Sequence, residues 1–378
     1  MRRVVIIGAG VLGSALAAEL ACTELVTLVD AGPPGCGASA TSMAWLNAQH
    51  KLPEHYHRLN VAGMKAHRRW SERLAPRPGW YRPTGGLRWA EDEASVHDLA
   101  DLVSRLSRWG YPCRLIGPQE AEALEPALRL SPVARAAWFP EEALADPGPL
   151  LEALVQAACD AGATVVAGTA VTAVESRGGR VTGARLADGR TLKADVLVCC
   201  AGRDAARVAA SAGITVPLVP GDAPGSAAPA LFTHLAHPGV RGPSRALLSA
   251  GFNARPWNVG HTYVEADDVN DVVDASTTPA ERKRLARVLL DRKREALPRM
   301  WRSAAIVRTG ICVRPLPADG HPVAGPSEEL DGWYTLVTHS GMTLGLRLAE
   351  LVAREITTGS PQTELAPYRP GRFGAGSG

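Results

Sequence analysis

The first apolar run of the chain is short. Arg3 to Ile7 (RVVII) is β-branched and wholly apolar after the arginine, the pattern of a parallel strand buried on both faces. Gly8-Ala9-Gly10-Val11-Leu12-Gly13 follows, and Ser14 to Ala21 reads as a helix of small residues. Leu25 to Val29 (LVTLV) predicts a second buried strand, which Asp30 ends. Further strands are expected over 231–234, 246–255, 261–265 and 306–313, and a helix with many wet positions over 279–297. Two stretches lean basic, 65–73 and 282–294, both spaced like the solvated face of a helix. The Pro/Gly-rich stretch 367–378 is expected to fray.

Composition narrows the picture. With 378 residues, 46% hydrophobic and 21% charged, the chain is globular and long enough for two domains. A net charge of +3 gives no electrostatic footing for nucleic acid. The seven cysteines are odd in number and form no CxxC pair, which excludes a disulfide scaffold and a zinc cluster; no metal site is expected. Most read as small buried hydrophobes in a reducing, cytoplasmic compartment. Cys199 and Cys200, adjacent in an expected strand, should face opposite ways. Met1-Arg2-Arg3 and the apolar run imitate a secretion signal, but Gly8, Gly10 and Gly13 interrupt it and a second strand follows. No apolar stretch reaches 18 residues, so no membrane span is expected.

Strand, GxGxxG turn, helix, strand and acid together form a dinucleotide fingerprint. Gly8 permits the tight turn, Gly10 lets a pyrophosphate approach the backbone, and Gly13 lets the helix pack close to the strand. The helix N-terminus offers free N–H groups to phosphate. Asp30 can accept from both ribose hydroxyls and disfavours a 2′-phosphate. A second small-residue turn, Gly35-Cys36-Gly37-Ala38-Ser39-Ala40-Thr41-Ser42, suits the longer FAD better than NAD.

GAGVLG followed by VDAGPPGCGASATS resembles the D-amino-acid oxidase/glycine oxidase/sarcosine oxidase family of FAD-dependent amine oxidases. So do residues 161–202, which close on Ala201-Gly202, the segment RPLPADGHPVAG at 314–325, and GWYTLVTHSGMTLGLRLAELVAREI at 332–356. The resemblance covers roughly half the chain and is closest to glycine oxidases. It implies an α/β fold: a discontinuous Rossmann-type FAD domain (1–85, 145–215 and 315–378) and an antiparallel-sheet substrate domain (86–144 and 216–314). It also implies FAD, held without a covalent bond. Sarcosine oxidases bind flavin through a cysteine matching Cys312, but the surrounding motif here looks more like the glycine oxidases.

The turns suggest Val11 and Leu12 over the pyrophosphate, Asp30 and Ala31 at the ribose, and Ala38, Ser39 and Ser42 near the diphosphate. By resemblance, Val171 meets adenine, and Met43, Ala44 and Trp45 approach the ring system. His339, Ser340, Gly341, Met342, Thr343 and Leu344 match the loop donating to the flavin's N1/O2 side, where a helix N-terminus favours negative charge. The family's carboxylate-gripping arginine falls on Arg314, whose fork suits bidentate pairing. Asn253 stands near the place of a substrate-facing tyrosine. Arg255 shares its strand face and is expected to meet a second substrate carboxylate. Trp45, Asn47, His50 and Lys51 are candidate walls of the substrate side, and Lys51 a charge that favours O₂ reduction.

The resemblance thus implies an oxidase of a small amino acid, glycine or an N-substituted glycine. Hydride would pass to flavin N5, the imine would hydrolyse, and O₂ would become H₂O₂; separately, the abundance of Ala, Arg, Gly and Pro suits a high-GC bacterial genome, where such oxidases often serve secondary metabolism. Two alternatives stay open: an amine dehydrogenase using another acceptor, and a non-catalytic FAD-binding or electron-transfer subunit. An oligomer is compatible with either.

Overall fold

The computed structural model describes residues 1–75, 79–223, 225–258, 260–292, 297–298, 302 and 304–374. Its first sheet has six strands, in the order Val323–Pro326, Trp333–Val337, Val196–Cys199, Arg3–Ile7, Leu25–Asp30, Thr164–Ala167. All neighbours are parallel except the first pair. The unbroken apolar run of the first strand has a plain cause. Val4 and Ile6 enter one core and Val5 and Ile7 another, on opposite faces of the sheet. Cys200 and Cys199 divide between the same two cores.

The helix Val11–Leu20 is apolar nearly all round because it is covered nearly all round. It lies against the helix Pro147–Asp160 and the closing helix Gly341–Thr358, which in turn packs on Glu54–Arg73. The basic stretch 65–73 occupies the wet side of that last helix, where Arg69 pairs with Glu350 and Arg73 with Glu19.

A second sheet has eight strands: Ala305–Val313, Pro229–Ala236, His261–Glu265, Phe252–Pro256, Ala246–Ser249, Gly86–Ala90, Arg135–Phe139, Arg114–Ile116. It is antiparallel except where Ala246–Ser249 meets Gly86–Ala90. Leu87, Leu231, Leu247 and Val264 bury one face with Leu285 and Leu289 of the helix Pro279–Arg292. The other face turns Phe232, Tyr263 and Cys312 toward Ala38 and Met43 of the first sheet's connections.

Two expectations change, and a third runs into positions outside the described residues. The single strand over 246–255 is a hairpin, broken at Ala250-Gly251, where Gly251 takes φ 68°. The helix expected to 297 is described as far as Arg292, and 293–296 lie outside the described residues. The C-terminal stretch does not fray before 374. Two short 3₁₀ turns, Thr363–Tyr368 and Pro370–Phe373, bury Tyr368, and Arg369 and Arg372 tie them to Glu355 and Asp319. Residues 375–378 lie outside the described residues. Among the described residues no helix is long and apolar enough to cross a membrane, and no His/Cys/Asp/Glu group is arranged to hold a metal.

Candidate active site

One cleft of about 450 Å³ runs from the ends of the first two parallel strands to the inner face of the eight-stranded sheet. Its first part is built by the glycine turn. Gly8 has φ 103°, and its N–H donates to Val29 O at 2.7 Å. A Cβ on Gly13 would sit 1.9 Å from Gly8 O, so only glycine lets the helix start this close to the strand. Asp30 accepts from Ala9 N at 2.7 Å and Gly32 N at 2.8 Å, which fixes its carboxylate beside the turn. Ser39 Oγ accepts from Val11 N at 3.1 Å, so a hydroxyl oxygen already meets the N–H that an anion would take.

The cleft continues past Ser42, Met43, Ala44 and Trp45. Ala44 holds φ 50°, a conformation costly for any residue with a Cβ. What over-determines it is Arg255. This guanidinium donates to Met43 O (2.7 Å), Ala44 O (3.2 Å) and Ala145 O (2.8 Å), and pairs with Asp146 at 2.8 Å. Arg255 is therefore not substrate-facing. It is 0% exposed and outside the cleft lining, and its donors go to the carbonyls of Met43, Ala44, Ala145 and Pro256 and to Asp146. Strand alternation had placed its face correctly but not what that face meets. Asn253 shares the face and also stays off the lining; its side chain bonds Glu265. His50 is exposed and off the lining. Gly13 and Leu344 are packing positions beneath the cleft.

The remaining predicted positions converge on it. Gly8, Gly10, Val11, Leu12, Asp30, Ala31, Ala38, Ser39, Val171, Ala201 and Gly202 line one part. Trp45, Asn47, Lys51, Arg314, His339, Ser340, Gly341, Met342 and Thr343 line the other. Lys51 Nζ donates to Ser340 Oγ at 3.0 Å, and burial with the nearby Arg314 charge lowers its ammonium to about 8. Burial, Arg314 and Lys51 bring His339 down to about 3, so its imidazole is neutral. Arg314 follows the strand Ala305–Val313, anchored by its own N–H to Ala228 O at 2.8 Å. Its Nε is buried without a hydrogen-bond partner.

Trp45 is held from behind. Its Nε1 donates to Glu142 Oε2 at 2.9 Å, Gln49 Nε2 donates to the same oxygen at 3.0 Å, and Tyr111 OH meets Oε1 at 2.9 Å. Glu142 is 0% exposed, and burial pushes its carboxyl up to about 8. Neither Glu142 nor the cleft residues Tyr263 and Glu265 were singled out from sequence. The usable signal was an acid two residues after a tyrosine on one face of the strand HTYVE.

A dinucleotide cradle that runs on to a second sheet defines the site of a cofactor-dependent enzyme. The chain belongs to the family of FAD-dependent oxidoreductases of the D-amino-acid oxidase type: that family's model, "DAO: FAD dependent oxidoreductase", matches residues 3–355. A glycine oxidase from Geobacillus kaustophilus is 27% identical over 97% of this chain and 95% of its own. A mitochondrial pyruvate dehydrogenase phosphatase regulatory subunit from Mus musculus is 24% identical over 99% of this chain but 43% of its own, so the chain spans less than half of that relative. The crystal structure of iminodiacetate oxidase from Chelativorans sp. BNC1 shares the fold, with TM-score 0.82 and 24% identity over 97% of this chain and 99% of that one. The residues present fit FAD: an acid beside the first turn, N–H groups at a helix start, and a cleft long enough to reach both sheets.

Proposed function

We propose that this protein oxidises the C–N bond of a small amino acid, glycine or an N-substituted glycine, with O₂ as final acceptor and H₂O₂ as product. The observation that carries this is Arg314 Nε, buried and unpartnered at the end of the cofactor cleft. A buried guanidinium donor without an acceptor is costly, and a substrate carboxylate supplies one. FAD in the cleft would supply the two-electron acceptor. The chain's own residues position the substrate: Arg314 grips the carboxylate, Trp45 and Asn47 wall the pocket, and the neutral His339 does no acid–base work near pH 7. Lys51 adds positive charge where oxygen is reduced. No covalent flavin bond is expected at Cys312, whose Sγ lies against Ala38 O at 3.9 Å. The N-substituted glycine agrees with the name of the iminodiacetate oxidase, which shares the fold alone. Seven free cysteines suit a reducing, cytoplasmic setting.

A non-catalytic reading is favoured by one observation, the regulatory-subunit name of the mouse relative. The visible spectrum decides. Purified protein is titrated anaerobically with glycine, sarcosine, larger N-carboxymethyl amines and D-amino acids. Flavin bands bleached by one of them, with H₂O₂ formed in air, support the proposal. Bleaching without H₂O₂ points to a dehydrogenase. Bands that persist with every amine point to the regulatory reading.

A further inference from the structure

The mechanism above leaves Glu265 without work, although it lines the same cleft as Arg314. Glu265 ends the strand His261–Glu265, and alternation puts it with Tyr263 on the face turned toward the first sheet. Cys312 belongs to that face and Arg314 follows it two residues on, from the strand on the far side of Pro229–Ala236. Tyr263 OH donates to Glu265 Oε2 at 3.2 Å, and the Asn253 side chain bonds it from the paired strand. Both contacts aim the carboxyl without neutralising it. Nor is Arg314 consumed, since its Nε remains unpartnered. The cleft wall therefore presents one cation and one anion that are not paired with each other by a short ion pair. That pair complements a zwitterion, carboxylate to Arg314 and ammonium to Glu265.

We propose that Glu265 is a catalytic residue that takes the proton from the substrate's ammonium group. One N–H bond breaks, a carboxyl O–H bond forms, and the nitrogen lone pair is left free to assist loss of hydride from the adjacent carbon. The step needs no oxidant, and it rests on the amine-oxidation reading given above. The electrostatic setting agrees. Burial, then the Asp267 charge, raises the Glu265 carboxyl, while Arg314, Tyr263 and Asn253 pull it down; the net direction is up, toward the acidity of an amine's proton. The other groups facing it are Cys312 and Tyr263, both pushed up by burial and uncharged near pH 7, with Lys51 and neutral His339 elsewhere on the cleft wall.

The test uses the flavin-loaded enzyme and its Glu265→Gln variant. The limiting rate of anaerobic flavin bleaching is followed against pH with whichever amine bleaches the wild type. In the wild type the rate rises along an acidic limb. In Glu265→Gln it drops on the order of 10²-fold near pH 7 and recovers in alkali, where the amine arrives already deprotonated. Two isosteric pairs, glycine with propionate and sarcosine with butyrate, are also titrated by the flavin's spectral shift. Propionate and butyrate, which lack the amine, bind wild type more tightly as pH falls and Glu265 protonates. They bind Glu265→Gln tightly at every pH. This second measurement holds on wild type alone if the variant does not fold. A variant whose pH profile superimposes on wild type after scaling, or pH-independent butyrate binding to wild type, overturns the assignment to Glu265 while leaving amine oxidation intact. Failure of every amine to bleach and every carboxylate to bind overturns the functional reading itself.

Discussion

Replacing Glu142 with glutamine should make the protein relatively more stable the more alkaline the solution. Glu142 is fully buried, and its carboxyl is raised from 4.5 to about 8. Below pH 4.5 it is protonated in both folded and unfolded chains, and its contribution to stability is whole. Between 4.5 and about 8 the folded chain keeps a proton that the unfolded chain sheds, so stability falls as pH rises; above about 8 the loss is complete. At about 1.4 kcal/mol for each pH unit, the window is worth up to about 5 kcal/mol, of which about 4 kcal/mol falls between pH 5 and pH 9. The protonated network is satisfiable: the acid donates to Tyr111 O, and the Tyr111 proton turns to Met64 Sδ, 3.7 Å away. An amide reproduces this arrangement. Its oxygen accepts from Trp45 and Gln49, and its NH₂ donates to Tyr111. Urea unfolding of both proteins at pH 5, 7 and 9 measures the difference directly, because other titrating groups cancel. Parity at pH 5 and a gain of about 4 kcal/mol at pH 9 is the expected result. A difference that stays flat with pH refutes the reasoning.

Arg314→Met should weaken propionate binding roughly 10- to 100-fold, by loss of a charge-assisted hydrogen bond, with Arg314→Lys recovering only part because it lacks the fork; equal affinities, read from the flavin spectrum, would remove the carboxylate role. Gly63→Ala places a Cβ 2.4 Å from Thr343 O, backbone against backbone. It should cost about 1–3 kcal/mol and loosen flavin retention together, because Thr343 lines the cleft. Thermal unfolding with and without added FAD checks this, and an unchanged melting temperature counts against it.

The first parallel strands and the glycine turn were legible because the contacts that shape the turn are local, Gly8 to Val29, Ala9 and Gly32 to Asp30, although both strands also pair with distant ones. Arg314 was legible through the segment that follows it. Glu265 was not, because what makes it chemical is its neighbourhood, and that neighbourhood comes from the distant Arg314 and Asn253. Arg255 shows the opposite error. Alternation fixed its face, but depth on that face depends on what covers it, and Met43, Ala44 and Ala145 cover Arg255 completely. Glu142 gave no local sign at all, since its three partners come from positions 45, 49 and 111.

The packing of Val11–Leu20 under Gly341–Thr358, where a Cβ on Gly345 would lie 3.0 Å from Val11 Cγ2, sets a timing problem during synthesis. The helix Val11–Leu20 leaves the ribosome about 320 residues ahead of the helix that roofs it. At roughly 5–20 residues per second, a greasy, glycine-bordered segment waits on the order of 15–60 s for its cover. During that interval it is an open invitation to chaperones or to other nascent chains. The cofactor cradle that depends on the same junction cannot be completed until Gly341–Thr358 has been made, so loading with FAD must wait for it.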